Sequence, residues 1–266
     1  MNALVPAGTA GALTTTGTVA VRTGLQLART PQVLGIAVVQ SVLFLLMFRY
    51  VIGGAIGVEG VSYVDFLVPG FVVAGLIFTA GGSAVAVAED AASGLYDRLR
   101  SLPIPGVAVL AGRSLADAAL MLFVALVTVG VGVLVGFRFG GSAAEALAAI
   151  GLVGVFSVAF AWVFVWLGLV SGSAQAAQGL GILGVPFSFL SSAFVPVDSM
   201  PAALEAFADH QPLTFMVDAV RGLLLGDAAT ATFEHSLSYY VTGSLLWSLA
   251  LVALFAPLAV RAYRRG

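Results

Sequence analysis

The sequence contains neither cysteine nor lysine. Without cysteine there is no disulfide, no thiolate metal site and no cysteine nucleophile. Without lysine, and with no G-x-x-x-x-G-K-[ST] run, there is no loop of the kind that cradles nucleotide phosphates. Charge of either sign is scarce: Asp, Glu, Lys and Arg make up 9% of the 266 residues, where soluble domains average about a quarter. So few charges cannot cover a surface that faces water. The two histidines, His210 and His235, neighbour Asp209 and Glu234. Adjacent residues point to different sides of a helix, which is not the spacing of a metal site, and both pairs read as solvated loop charge. Residues 1–20 lack a basic start followed by an apolar core, so no cleavable signal is expected.

What the chain does have is apolar length. It is 60% hydrophobic, with several runs of roughly 20 apolar residues, each enough to cross a ~30 Å hydrocarbon core. The fold class expected is an all-α polytopic membrane protein. Six spans are predicted, at about 32–52, 66–88, 114–136, 146–170, 180–197 and 239–260. With the N-terminus inside, Arg22, Arg29, Arg98, Arg100, Arg113, Arg261, Arg264 and Arg265 fall on the cytoplasmic side. Only Arg49, Arg138 and Arg221 fall outside. The bias places both termini in the cytoplasm. An arginine-only basic set with much Ala, Gly and Val suggests a bacterial source, hence the bacterial inner membrane.

Before the first span, "LTTTGTVAVRTGLQLART" (13–30) sets Val21, Leu25 and Leu27 roughly on one side, beside Arg22 and Arg29. It predicts an amphipathic helix on the inner membrane surface, following a short tail, so that residues 1–31 precede a transmembrane domain of 32–262. Between spans five and six lies an external connection, 194–236. Its segment "LTFMVDAVRGLLLG" is apolar enough to enter the bilayer, but as a helix of about thirteen residues it reaches only ~20 Å. A second short helix is expected over 201–208, with Pro201 in its first turn. The two meet at Gln211-Pro212 and read as a re-entrant hairpin, which needs protein or a wet cavity around its backbone.

No ionisable residue sits near the middle of any predicted span. Asp117, in the first turn of span three, is the nearest, and it can pair with Arg113 four residues earlier. Ion-coupled transport usually needs an ionisable relay at depth, and none is present. The exception to the charge scarcity is the first cytoplasmic loop, "EDAASGLYDRLRSLPIP" (89–105). Glu89 and Asp90 mark the exit from the bilayer, and Gly94 loosens the helix there. Leu95, Leu99 and Leu102 recur at helical spacing, Asp97, Arg98 and Arg100 lie off that stripe, and Pro103 and Pro105 stop the helix. From these residues two readings stand: a short amphipathic helix that docks into a groove on a cytoplasmic partner, or an ordinary inside loop with its arginines.

The whole pattern resembles the permease subunit of type-2 ABC exporters, the drug and glycolipid branch that includes the daunorubicin-resistance permease. The resemblance covers about residues 15–262. It is carried above all by "VPFSFLSSAFVPVDSMPAALEAFADHQPLTFMVDAVRGLLLG" (185–226), with Pro186, Ser191, Ser192, Pro196, Pro201, Pro212, Leu213, Thr214 and Arg221. "YVDFLVPGF" (63–71) and "GLYDRLRSLPI" (94–104) also look like the family. The resemblance implies a chain without its own nucleotide site. It would pair with a second copy or a related permease, and bind separate ATPase subunits that hold ATP and Mg2+. The first cytoplasmic loop would be a coupling helix in the ATPase groove, with Arg98 and Arg100 as contacts and Glu89, Asp90 and Asp97 completing the polar face. Asp218 and Arg221, three residues apart, would form an ion pair that holds the re-entrant element. Phe66, Phe71, Phe78, Phe187, Phe189 and Phe194 would supply the pathway wall for a hydrophobic or lipid-like substrate. No nucleic-acid partner is implied. Two other readings stay open: the substrate-binding membrane subunit of an ATP-driven importer, and a membrane enzyme or structural subunit, against which the lack of buried reactive groups counts.

Overall fold

The computed structural model describes residues 11–53, 61–231 and 233–265; the tail expected over 1–10 lies outside them. Among the described residues every regular element is helical. α1 (Ala12–Ala28) begins seven residues before Val19, where glycine becomes sparse. It presents Thr15, Thr16 and Val19 to the protein and leaves Val21 and Leu25 outward, 63% and 51% exposed. The three apolar residues therefore do not share one environment, since Leu27 alone of them turns inward to line a cavity. α2 (Pro31–Met47) starts with proline at its first turn and continues into a π turn, Phe48–Ile52.

α3 (Tyr63–Ala92) is capped by Ser62, whose hydroxyl accepts from the Asp65 N–H. It ends at Ser93, and Gly94 takes a left-handed φ of 73°, the conformation that closes a helix and that glycine adopts without penalty. The chain then turns into α4 (Leu95–Arg100). α5 (Gly106–Leu134) starts well before the expected Ser114, which sets Arg113 and Asp117 inside the helix rather than at its mouth. α6 (Ala143–Val170) opens with a capping box, Ser142 and Glu145 satisfying each other's backbone N–H groups. α3, at 30 residues, rises ~45 Å, more than a hydrocarbon core requires.

The span expected over 180–197 is not one helix. α7 (Ala174–Ile182) starts earlier, capped by Ser173, and α8 (Gly184–Phe189) follows after a break at Leu183. Gly179, Gly181, Gly184 and Pro186 weaken or remove the intrahelical bonds that hydropathy does not register. Beyond Leu190 the chain is irregular up to a single 3-10 turn, Val197–Ser199. This segment still has a clear course. Gly181 lies against Gly81, Gly184 against Ile77, and Ala193 against Gly70. As the chain advances its partners recede along α3, so it runs antiparallel to α3. A Cβ on Gly181 would sit 3.2 Å from the Gly81 Cα, so small residues set this close approach.

α9 (Ala202–His210) and α10 (Pro212–Leu225) are the two short helices expected around Gln211-Pro212. α10 is buried along its whole length from Leu213 to Leu225, against α3, α6 and a later helix. Such cover is what the re-entrant expectation requires of its backbone. α11 (Asp227–Thr230) is one turn, and α12 (Leu237–Arg265) closes the chain, with Pro257 in its interior. Among the described residues five helices, α2 with its π turn, α3, α5, α6 and α12, are long and apolar enough to cross a membrane.

The seat of α1 on α5 is a sharp contact. A Cβ at Gly112 would come within 2.6 Å of the Thr16 carbonyl and 2.7 Å of the Val19 Cβ. Gly112→Val is expected to lower stability by about 1–3 kcal/mol, as overpacking does, and to free α1. Thermal unfolding in detergent measures the first effect. Faster tryptic cleavage after Arg22 and Arg29 measures the second, and an unchanged cleavage rate would contradict this seating.

Candidate functional site

Among the described residues, three places stand out for the polar side chains they carry into this apolar chain: the α4 face, a cavity near the C-terminal half of α3, and the buried α10 junction.

At the α4 face the residue that anchors the helix is Tyr96, not the leucine stripe. Tyr96 is buried with Val87, Val109, Leu110, Trp162, Val165, Ala259 and Tyr263, and Leu99 packs against the same cluster. Burial raises the Tyr96 phenol above its ordinary range, so it stays neutral. Leu102 is 50% exposed. The helix stops at Ser101, so the i+7 position lies beyond it and off the anchoring face. Arg100 also turns inward: Nη1 donates to the Tyr263 carbonyl at 2.7 Å, and Nη2 pairs with Asp97. Its guanidinium lies 5.5 Å from the Tyr263 ring centroid. Arg98 and Asp97 are exposed, as are Glu89 and Pro103, and the Arg98 guanidinium has no hydrogen-bond or ion-pair partner among the described residues. Asp90 leaves the polar face altogether, because its carboxylate accepts from Arg113 Nη1 at 2.6 Å.

That bond belongs to the wall of the second place. Arg113 is 7% exposed and Asp117 1%. Arg113 Nε donates to Asp117 at 2.9 Å, the i, i+4 pair the sequence predicts. Its reach to Asp90 also ties α5 to the C-terminal end of α3. Arg113 and Asp117 line a cavity of about 520 Å³ between α2, α3, α5 and α7, with Leu27 of α1 at its edge. Gln40, Ser41, Thr79, Ser83, Glu89 and Gln178 supply its other polar groups. Ser41 and Thr128 share a hydrogen bond of 2.7 Å that holds α2 on α5. Of the six phenylalanines expected in a pathway wall, only Phe78 faces this cavity. Phe66, Phe71 and Phe194 are buried in the core, where Phe194 stacks on Phe48 at 4.9 Å. Phe187 and Phe189 are half exposed on α8.

The third place is built around Arg221. Its guanidinium donates to Asp218 at 2.6 Å, to the Ser192 carbonyl at 2.7 Å and to the Phe66 carbonyl at 3.2 Å. It also lies 3.8 Å from the centroid of the Phe66 ring. The Ser192 hydroxyl donates to Asp218 at 2.9 Å. One arginine thus joins α10, α3 and the segment after α8. Gln211, which the sequence did not single out, adds a second tie by donating to the Leu190 carbonyl at the end of α8, one of the orphan acceptors of a helix C-terminus. Ser191 folds back to accept from the Ala193 N–H and donate to the Ser188 carbonyl. Pro186 lies in the first turn of α8, Pro196 caps the 3-10 turn, Pro201 caps α9 and Pro212 opens α10. Each sits where a missing N–H costs least.

Among the described residues no group of His, Asp and Glu is placed to hold a metal ion. The three places are mechanical: an exposed charged helix, a polar-walled cavity and a buried fastening. Comparison with known proteins gives them a context. The family model "ABC-2 type transporter" matches residues 14–225. A daunorubicin resistance ABC transporter permease protein of Streptomyces coeruleorubidus is 32% identical over 229 residues, covering 85% of this chain and 78% of that protein. A probable doxorubicin resistance ABC transporter permease protein of Mycobacterium tuberculosis is 28% identical over 236 residues, covering 86% of this chain and 81% of that protein.

Proposed function

The chain belongs to the ABC-2 type transporter family and is an integral membrane protein, and on that premise we propose that it is the permease subunit of an ATP-driven exporter. It carries a hydrophobic or amphipathic substrate, such as a drug, a lipid or a glycolipid, out of the cytoplasm or the inner leaflet. ATP and Mg2+ are held by separate ATPase subunits. A second permease, the same chain or a relative, completes the pathway in the bacterial inner membrane. The broken segment from α7 to Phe194 is the sixth crossing, which is supported by its antiparallel course along α3 and brings both termini to the cytoplasm. α1 lies at the inner interface, its outward Val21 and Leu25 covered by lipid. The 520 Å³ cavity receives cargo from the inner side, its apolar walls taking the body of an amphiphile and its polar groups the head.

The observation that carries this reading is α4 itself. It is a short helix at the foot of α3 and α5, held from within by Tyr96 and presenting Asp97 and Arg98 outward with the Arg98 guanidinium unpaired among the described residues. Such a helix is shaped to be read by a partner. Co-purification with an ATPase subunit of an ABC transporter from the same organism tests the assignment. Arg98→Glu is expected to reduce the recovered ATPase about tenfold, as reversing a charge at a complementary interface does. Undiminished recovery with ATP-driven transport intact would remove Arg98 from the interface.

A further inference from the structure

The α4 helix is fastened by two of its side chains, Tyr96 and Arg100, to the C-terminal end of α12. The Tyr96 and Tyr263 rings meet edge to face, centroids 5.6 Å apart. Arg100 both donates to the Tyr263 carbonyl and lies over the Tyr263 ring. Gly106, at the start of α5, lies so close that a Cβ there would fall 2.8 Å from the same ring. Tyr263 is 4% exposed, although the residues that follow it, Arg264 and Arg265, are open. Neither tyrosine hydroxyl has a partner in this packing, so the rings and the carbonyl make the contact and the phenol oxygens do not.

From this geometry we infer that Tyr263 is a positioning residue that makes α12 move with α4, so that α12 is an output of the coupling helix. The inference rests on the reading that α4 meets the ATPase. α12 is suited to the role. Its inner half is packed on α6, with Phe255 5.2 Å from Trp166 and Ala259 in the Tyr96 cluster. Pro257 interrupts its hydrogen bonding by removing the N–H that would reach the Ala253 carbonyl, and such a site bends more readily than the rest of a helix. Its outer half grips α10: Gly243 lies on the Phe215 ring, and Tyr239 and Tyr240 lie 5.4 and 6.1 Å from it. α10 carries the Arg221 fastening. A displacement of α4 is therefore delivered through Tyr263 to the inner turn of α12, and along α12 to the re-entrant element at the other side of the membrane.

The native absence of cysteine makes the test direct. Spin labels at Ser101→Cys and Arg264→Cys, both exposed positions, report α4 against α12. A second pair, Ser101→Cys with Leu134→Cys at the outer end of α5, reports α4 against the body of the protein. The complex with its ATPase is measured in lipid nanodiscs, nucleotide-free and trapped with ATP and vanadate. The expected result is that the second distance shifts on trapping while the first does not. Tyr263→Ala should broaden the first distribution and cut transport at least tenfold while ATP hydrolysis continues. Tyr263→Phe, which keeps the ring, should behave as the unaltered chain in every readout. A first distance that shifts as much as the second overturns the clamp and leaves the docking of α4 standing. A second distance that does not respond to nucleotide overturns both, and loss of coupling in Tyr263→Phe overturns the assignment to the ring.

Discussion

Arg221→Ala is expected to destabilise the protein by about 3–5 kcal/mol and to abolish transport. The magnitude follows from what the substitution leaves behind. Asp218, 8% exposed, would keep a buried charge without its cation, and breaking one side of a buried pair is strongly unfavourable. The carbonyls of Phe66 and Ser192 would lose a donor as well. Arg221→Lys should fall between the two, because one ammonium cannot reproduce a planar fork that reaches three elements. The paired change Arg221→Met with Asp218→Leu is expected to recover most of the stability, since replacing both partners removes the orphaned charge. If recovered stability came without recovered transport, the junction would serve motion as well as folding. Thermal unfolding and transport assays on the same four proteins separate these outcomes.

The second large effect is expected at Arg113. Arg113→Ala leaves Asp117 buried at 1% exposure and releases Asp90 from α5. The same reasoning predicts a loss of about 3–5 kcal/mol, with the inner end of α3 freed from α5 directly above α4. Arg113→Lys keeps the charge but reaches one carboxylate at a time, so it should retain the fold while weakening the coupling between nucleotide hydrolysis and transport. Arg113→Ala with Asp117→Asn should regain part of the stability and none of the link to Asp90. ATP hydrolysis per substrate moved, measured in proteoliposomes, distinguishes these variants. Equal stoichiometry in Arg113→Lys and the unaltered chain would show that the link to Asp90 carries no coupling.

These expectations show which features could be read from the chain alone. Both buried ion pairs are local on a helix, Arg113–Asp117 at i, i+4 and Asp218–Arg221 at i, i+3, and spacing alone reveals them. The two short helices α9 and α10 were equally legible, because Pro201 and Pro212 mark where each begins. What escaped is non-local. Asp90 read as a cytoplasmic charge, and only the return of α5 beside α3 brings Arg113 to it. Arg100 read as a contact for a partner, and only the last turn of α12 shows where its guanidinium goes. The fifth span was misplaced because hydropathy averages over glycine and proline, which break α7 from α8 without making the segment less apolar. The places of the phenylalanines escaped for a related reason: burial in a core, exposure to lipid and a place on a cavity wall all select the same side chain.

Contact between α4 and the ATPase is the claim on which the account turns, and cysteine-directed cross-linking tests it most directly. In this cysteine-free chain, Arg98→Cys carries the only thiol, and a short bifunctional reagent applied to the assembled complex reports what lies beside it. The account predicts an adduct of permease and ATPase from Arg98→Cys, and none from the exposed Leu134→Cys or Phe207→Cys, which the proposed topology puts on the outer side. An ATPase that co-purifies but gives no adduct at Arg98→Cys, or gives one at Leu134→Cys, would contradict it.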